Sequence, residues 1–136
     1  DLSLKALKVA QENKKNNIVN AHLVNANWLS AFAGNSFDVI VSNPPYVDRN
    51  DKRLLGDGVS FEPTEALISE ERGLKDLKHI IKTSKDYLQD NGSLFVEHAP
   101  EQSKDVIDLF NNYSYSNIRL FQDLNGDDRV SFAKLV

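Results

Sequence analysis

The sequence contains no cysteine, which excludes a disulfide framework and a thiolate metal site. It also lacks an apolar run near the ~20 residues that span a bilayer, and it lacks a basic-then-apolar leader. These absences predict a cytoplasmic protein with no membrane segment and no metal site. Acidic residues outnumber basic ones by 20 to 16, and the net charge of −4 argues against a nucleic-acid partner.

Methionine is absent as well, and the chain begins at Asp1. Because translation starts at methionine, we expect these 136 residues to be a piece of a longer protein. Hydrophobic residues make up 40% of the chain and charged residues 26%, which is typical of one folded domain.

Helix and strand patterns alternate along the chain. Helix patterns cover residues 1–16, 70–89 and 101–112, and strand patterns cover 18–25, 37–42, 93–97, 116–123 and 129–136. The Asn125-Gly126-Asp127-Asp128 segment is a hairpin signal between the last two strands. Residues 48–71 are polar, include a turn at Gly56-Asp57-Gly58, and predict an ordered surface loop. This order predicts an α/β sheet that is mostly parallel, with an antiparallel hairpin at its C-terminal end.

An apolar run, Val39 to Val41, ends abruptly near Asn43-Pro44-Pro45-Tyr46. The β-branched run predicts a strand buried on both faces, and the two prolines cannot continue it. We therefore expect a stiff tip at the carboxyl end of a strand, where open α/β sheets bind ligands. A merely rigid turn with a surface tyrosine is the alternative, which the position at a strand end disfavours.

The tip offers groups that suit a planar NH2 substrate. In an amide or a base amine the nitrogen lone pair is delocalised, so the nitrogen is a poor nucleophile. The Asn43 side-chain oxygen and the Pro44 carbonyl can accept its two hydrogens, and the Tyr46 ring can stack on the flat group. This pattern predicts catalysis by positioning and fixed dipoles, without a strong general base.

Five segments carry a resemblance to a known family: Asp38 to Val47, Phe61-Glu62-Pro63 with Ala66-Leu67, Gly73-Leu74, Glu97-His98, and Asp123 to Val130. Together they resemble the HemK/PrmC protein-(glutamine-N5) methyltransferases. These enzymes use S-adenosylmethionine to methylate the glutamine of the Gly-Gly-Gln motif in peptide chain release factors. The tetrapeptide alone is shared with several methyltransferase families, and the Phe-Glu-Pro and Gly-Asp-Asp-Arg-Val segments narrow the resemblance.

The resemblance implies that residues 1–136 are the C-terminal portion of a catalytic domain with a Rossmann-like class I methyltransferase fold. The family's N-terminal helical domain, the first strands of its sheet and its glycine-rich cofactor loop have no counterpart in this sequence. We therefore expect this chain alone to bind S-adenosylmethionine weakly or not at all and to be inactive.

The resemblance also implies roles for six residues. Asn43, Pro44 and Tyr46 are the expected catalytic residues, and Pro45 joins them in binding the substrate glutamine. Asp1, Trp28 and Asn43 are the expected cofactor-binding residues, with Asp1 at the ribose and Trp28 at the adenine. A cut chain end and a core tryptophan are the alternative interpretations of Asp1 and Trp28. Glu97 and His98 are expected at the active-site edge of the sheet, without an assigned role.

The sequence is also compatible with two other functions. One is a nucleic-acid methyltransferase acting on adenine N6 or guanine N2, with the base flipped into the site. The other is a non-catalytic remnant that keeps the fold but not the cofactor site. Release factors are the expected protein partner. Because a first strand is missing, one edge of strand 37–42 would be exposed, and we expect self-association through that edge.

Overall fold

The structure is a computed structural model that describes residues 1–55 and 62–136. The predicted turn at Gly56-Asp57-Gly58 and Phe61 of the Phe-Glu-Pro segment lie outside the described residues. The chain divides into two compact units, Asp1–Ala33 and Gly34–Val136, and each is described by itself. Among the described residues, no helix is long and apolar enough to cross a membrane.

The first unit contains helix α1 (Leu4–Asn16) followed by an irregular segment. The Ser3 hydroxyl caps the helix by accepting a hydrogen bond from the Ala6 N–H at 3.2 Å. Lys14 and Lys15 lie in the last turn, where positive charge complements the helix dipole. The predicted helix is confirmed, although none of its residues is buried.

The strand predicted at residues 18–25 is wrong, because this segment has no regular structure. Ile18 has a left-handed φ of 53° and belongs to the turn that ends α1. Near the other end, Val24 accepts a hydrogen bond from the Asp1 amino group at 2.9 Å, and the Ala26 N–H donates to the Asp1 carbonyl at 3.2 Å. A strand needs a paired neighbour along its length, whereas the backbone of this segment bonds at one end to Lys14 and Lys15 of α1 and at the other end to Asp1.

The second unit is built on a four-stranded sheet with the order β1-β2-β4-β3. Its strands are β1 (Phe37–Ser42), β2 (Leu88–Glu97), β3 (Tyr115–Gln122) and β4 (Asp128–Leu135). Strands β1, β2 and β3 run in one direction, and β4 runs antiparallel to both of its neighbours. The α/β class and the C-terminal antiparallel hairpin are therefore confirmed, and the sheet is mixed, with one parallel pair and two antiparallel pairs of strands. The antiparallel strand lies inside the sheet, however, and not at its edge.

The described part of this unit contains four helical elements: α2 (Thr64–Leu67), α3 (Glu70–Gly73), α4 (Lys75–Ser84) and α5 (Ser103–Asn112). The element α3 is a single turn whose last three residues have left-handed φ values. Short 3-10 turns precede α2 at Lys52–Leu55 and α5 at Pro100–Gln102. Helices α4 and α5 contact each other and the sheet. Their apolar sides form the core with alternate residues of β2, namely Leu77, Ile80, Ile81, Val106, Phe110, Leu88, Leu94 and Val96.

The single helix predicted over residues 70–89 is wrong at both ends. Gly73 has a φ of +83° and separates α3 from α4, and α4 ends at Ser84. Leu88 is fully buried and pairs with Phe37, so it begins β2 instead of extending the helix. Residues 89–92 form an irregularity within β2, where the pairing register shifts and Asn91 has a φ of 62°.

Strand β1 lies at one edge of the four-stranded sheet, but it is not buried on both faces as the sequence predicts. Ile40 is buried beside its partner Leu94, whereas Val39 and Val41 are 51% and 76% exposed. Helices α4 and α5 contact β2, β3 and β4, and Ile40 is the one buried residue of β1.

His98 lies directly after β2 and is fully buried. Its Nδ1 is 2.8 Å from the Ala99 carbonyl oxygen, and its Nε2 is 2.7 Å from the Ser131 hydroxyl on β4. A carbonyl only accepts, so Nδ1 carries the proton and Nε2 accepts from Ser131. Burial lowers the pKa of His98, against the opposing effect of the Ala99 carbonyl. His98 is therefore a neutral core residue that links β2 to β4.

This pKa shift makes stability depend on pH in one direction. The unfolded chain binds a proton at His98 near pH ~6.5, and the folded chain binds it only at lower pH. The contribution of His98 is thus complete above pH ~6.5 and is lost as the pH falls below that value. When the pH is lowered from about 7.5 to about 5.5, we expect the free energy of unfolding to fall less in His98→Gln than in the wild type. Urea titrations at the two pH values measure this difference.

The exposed His22 provides the matched control. His22→Gln should keep the pH dependence of the wild type. Equal pH dependence in His98→Gln and the wild type would contradict the assignment of His98 as a neutral buried residue.

Candidate active site

The Asn43-Pro44-Pro45-Tyr46 tetrapeptide directly follows β1 at the carboxyl edge of the sheet. Pro44 is buried, and Asn43 is exposed. The chain that leaves the tetrapeptide is fixed by two backbone bonds, from the Val47 N–H to the Leu67 carbonyl at 2.9 Å and from the Ser69 N–H to the Val47 carbonyl at 3.0 Å. The stretch before α3 thus folds back onto the tetrapeptide.

A cleft of about 420 Å³ opens beside the tetrapeptide. Its lining comes from the ends of β1, β2 and β4 and from the connection after β1: Asn43, Pro44, Tyr46, Val47, Leu54, Glu62, Ala66, Leu67, Glu97 and Arg129. The structure therefore brings Asn43, Pro44 and Tyr46 to one cleft. Pro45 is half-buried and is not part of this lining.

The Tyr46 side chain is held at its tip by Glu97, the last residue of β2. The phenol donates a hydrogen bond to Glu97 Oε1 at 2.8 Å. Burial, followed by the bond to Glu97 and its negative charge, raises the pKa of Tyr46 to about 12. The phenol is therefore protonated at neutral pH, and it acts as a fixed donor to Glu97 and not as a base.

Arg129, near the start of β4, brings a positive charge to the same cleft. Its Nη2 lies 3.4 Å from Asp123 Oδ2, and its Nη1 lies 3.4 Å from the His98 carbonyl oxygen. Asp123 in turn accepts hydrogen bonds from the backbone N–H groups of Asn125 and Asp127, which lower its pKa. The hairpin loop thus holds a carboxylate beside Arg129.

Sequence reasoning assigned no role to Glu97 or Arg129, although both lie within the segments that carry the family resemblance. The signal that could have identified them is positional. Glu97 ends a strand parallel to β1, and Arg129 begins the antiparallel strand beside it, with Glu97 opposite Val130 in the register. The end of β2 and the beginning of β4 therefore meet at the edge of the sheet that carries the tetrapeptide.

The two other predicted cofactor residues, Asp1 and Trp28, belong to the first unit. One carboxylate oxygen of Asp1 accepts a hydrogen bond from the Ser3 N–H at 2.7 Å, and the side chain is exposed. Trp28 is half-buried, with a left-handed φ of 51°. An exposed carboxylate and an indole face are groups that suit a ribose and an adenine, respectively, and the roles of both residues remain predictions.

The Tyr46–Glu97 bond can be tested with a double-mutant cycle of Tyr46→Phe and Glu97→Gln. Because the bond joins a phenol to a carboxylate in a half-buried place, we expect a coupling of about 1–2 kcal/mol in the free energy of unfolding. The coupling should stay constant from about pH 6 to about pH 9, since Tyr46 stays protonated there. Effects of the two substitutions that add to within about 0.3 kcal/mol would contradict this bond.

This chain is similar to methyltransferases in sequence and in fold. A family model described as "Methyltransferase small domain" matches residues 1–57. A methyltransferase from Pyrococcus furiosus superposes with a TM-score of 0.69 at 17% identity, over 98% of this chain and 59% of its own. That likeness confirms the predicted α/β fold class.

Curated relatives are more similar in sequence. The protein named release factor glutamine methyltransferase from Aliivibrio fischeri is 38% identical to this chain, over 96% of this chain and 47% of its own length. The protein of that name from Salmonella typhimurium is 40% identical, over 84% of this chain and 41% of its own length. The one from Escherichia coli K12 is 36% identical, over 95% of this chain and 47% of its own length. The chain spans about half the length of the curated relatives it matches. The resemblance predicted from the motifs is thereby confirmed: almost the whole chain is homologous to one half of the release factor glutamine methyltransferases.

Proposed function

We propose that the protein carrying this chain transfers a methyl group from S-adenosylmethionine to the side-chain amide nitrogen of the glutamine in the Gly-Gly-Gln motif of peptide chain release factors. The observation that carries this proposal is the cleft in which Asn43 and Pro44 lie beside a tyrosine held by Glu97. The names of the relatives support the choice of substrate.

The donor set of this chain fits part of an S-adenosylmethionine site. Asp1 is an exposed carboxylate that can accept from ribose hydroxyls, and Trp28 offers an aromatic face. Asn43 would contact both cofactor and substrate. When bound, S-adenosylmethionine supplies an electrophilic methyl group. The glycine-rich loop that the family resemblance implies has no counterpart in these residues, so binding by this chain alone is expected to be weak.

The residues of the cleft would act on the substrate amide by orientation. The Asn43 side-chain oxygen and the Pro44 carbonyl would accept the two amide hydrogens, which leaves the nitrogen lone pair directed away from both. As the nitrogen–methyl bond forms, the sulfur–methyl bond of the donor breaks, and the nitrogen releases one of its two protons to water. In the structure, the Asn43 carboxamide makes no hydrogen bond within residues 1–55 and 62–136, so it can bind a ligand without breaking a bond there. Tyr46 sets the plane of the amide. The contribution is positioning and fixed dipoles, which can lower a barrier by several kcal/mol.

We also propose release factors as the partners of the protein and the cytoplasm as its location. Release factors act during translation, so the proposed activity takes place in the cytoplasm. Self-association through β1 also stays a proposal, motivated by its position at the sheet edge and by the exposed Val39 and Val41. We expect the isolated chain to form dimers or larger species in light scattering, and a monodisperse monomer would contradict this.

Asn43→Ala should reduce kcat/KM for a release factor by about 100-fold or more, because one of the two acceptors for the amide hydrogens is lost. The assay measures transfer of labelled methyl from S-adenosylmethionine by the full-length protein. A release factor with Asn in place of the motif glutamine should accept no label.

Asn111→Ala is the matched control, because Asn111 is exposed on α5 and lies outside the cleft lining. It should keep the activity of the wild type. Label transferred to DNA or RNA, but not to the release factor, would replace the proposed substrate with a nucleic-acid base. No transfer to any of the three acceptors would favour a non-catalytic protein.

A further inference from the structure

Gln102, in the 3-10 turn before α5, connects three segments of backbone. Its Nε2 donates to the Tyr46 carbonyl at 2.9 Å and to the Arg72 carbonyl at 3.2 Å. Its Oε1 accepts from the Ala99 N–H at 2.9 Å. Gln102 is only 6% exposed, so these bonds are shielded from water. Both amide hydrogens and the oxygen of one side chain are thus used within the protein.

The segment that meets Gln102 beside Tyr46 has an unusual backbone. Glu71 and Arg72 have φ values of 55° and 59°, and Gly73 follows with a φ of 83°. Residues other than glycine rarely adopt this left-handed region of φ. Three consecutive residues in this region must therefore be held there by their surroundings. Gln102 holds this strained turn by donating a hydrogen bond to the Arg72 carbonyl.

Gly73 is needed for the close approach between the strained turn and the tetrapeptide. A Cβ on Gly73 would overlap the Tyr46 carbonyl oxygen and would also reach Gln102 Nε2. The turn therefore packs directly against the last backbone carbonyl of the tetrapeptide, and Gln102 donates to that same carbonyl.

We infer that Gln102 is a positioning residue for methyl transfer: together with the turn at Glu71–Gly73, it fixes the backbone of Asn43-Pro44-Pro45-Tyr46 so that its acceptors face the substrate amide. This inference rests on the proposed function. Gln102 is not part of the cleft lining and acts through Tyr46. Tyr46 is consequently held at both ends, by Glu97 at the phenol and by Gln102 at the carbonyl.

Two variants remove the donor role of Gln102, and one of them keeps its acceptor role. Gln102→Glu has nearly the same volume and keeps an acceptor for the Ala99 N–H, but it turns a carboxylate oxygen toward two carbonyl oxygens. Gln102→Met removes all three bonds and leaves an apolar side chain of similar length. In the full-length protein, both variants should lower kcat by about tenfold or more, since small displacements of positioning groups are costly. The KM for S-adenosylmethionine should stay within about twofold of the wild type.

A second readout does not depend on activity. The amide hydrogens of Val47 and Ser69 are bonded in the stretch that follows the tetrapeptide, and their exchange with solvent reports its local opening. We expect both Gln102 variants to speed this exchange by about tenfold or more, as measured by NMR on the full-length protein.

Tyr115→Phe is the matched control, because it deletes another buried hydrogen bond, from the phenol to the Ile81 carbonyl at 3.0 Å, that does not involve Tyr46. It should change neither kcat nor exchange at Val47 and Ser69. Exchange at these two amides in the Gln102 variants that is no faster than in Tyr115→Phe would overturn the inference, and so would an unchanged kcat with faster exchange. Faster exchange in a protein whose wild type methylates no release factor would instead overturn the proposed function and leave the role of Gln102 in holding the tetrapeptide supported.

Discussion

The two prolines after β1 are the constraint on which the rest of the second unit depends. Pro44 and Pro45 cannot donate backbone hydrogen bonds, so the chain must leave the sheet where they occur. Their carbonyls and those of their neighbours then need partners from elsewhere. The structure provides them through Gln102, which binds the Tyr46 carbonyl, and through the bonds between Val47 and the segment before α3.

Because the chain leaves the sheet at the two prolines, other parts of the chain provide the contacts of Tyr46. Strand β2 contributes Glu97 at the phenol, the turn before α5 contributes Gln102, and the left-handed turn places Gly73 against the carbonyl. A side chain at a strand end is mobile unless neighbouring elements hold it, and here the neighbours lie far apart in sequence. Glu71 and Arg72 have left-handed φ values, which cost stability. Such strained backbone is common next to functional sites.

Much of this arrangement is readable from the sequence because it is local. Helix α1, the two strands of the C-terminal hairpin and the break after β1 all follow from periodicity, capping and turn residues. The failures arise where a partner distant in sequence decides. Residues 18–25 carry β-forming side chains but lack a paired neighbour along their length within residues 1–33, and Leu88 leaves the helical pattern because Phe37 pairs with it. Glu97, Arg129 and Gln102 are ordinary polar residues in the sequence, and only the register of β2 and β4 and the fold of the loop reveal what they contact.

The position of β4 has a consequence for how the cleft can be assembled. This strand follows β3 in the sequence, yet it lies between β2 and β3 in the sheet and supplies both Arg129 and the Ser131 partner of His98. During synthesis, β2 and β3 therefore cannot join one sheet until residues 128–135 have emerged from the ribosome and inserted between them. Until that moment the tetrapeptide exists without one wall of its cleft, so the order of translation delays the site until this part of the chain is complete.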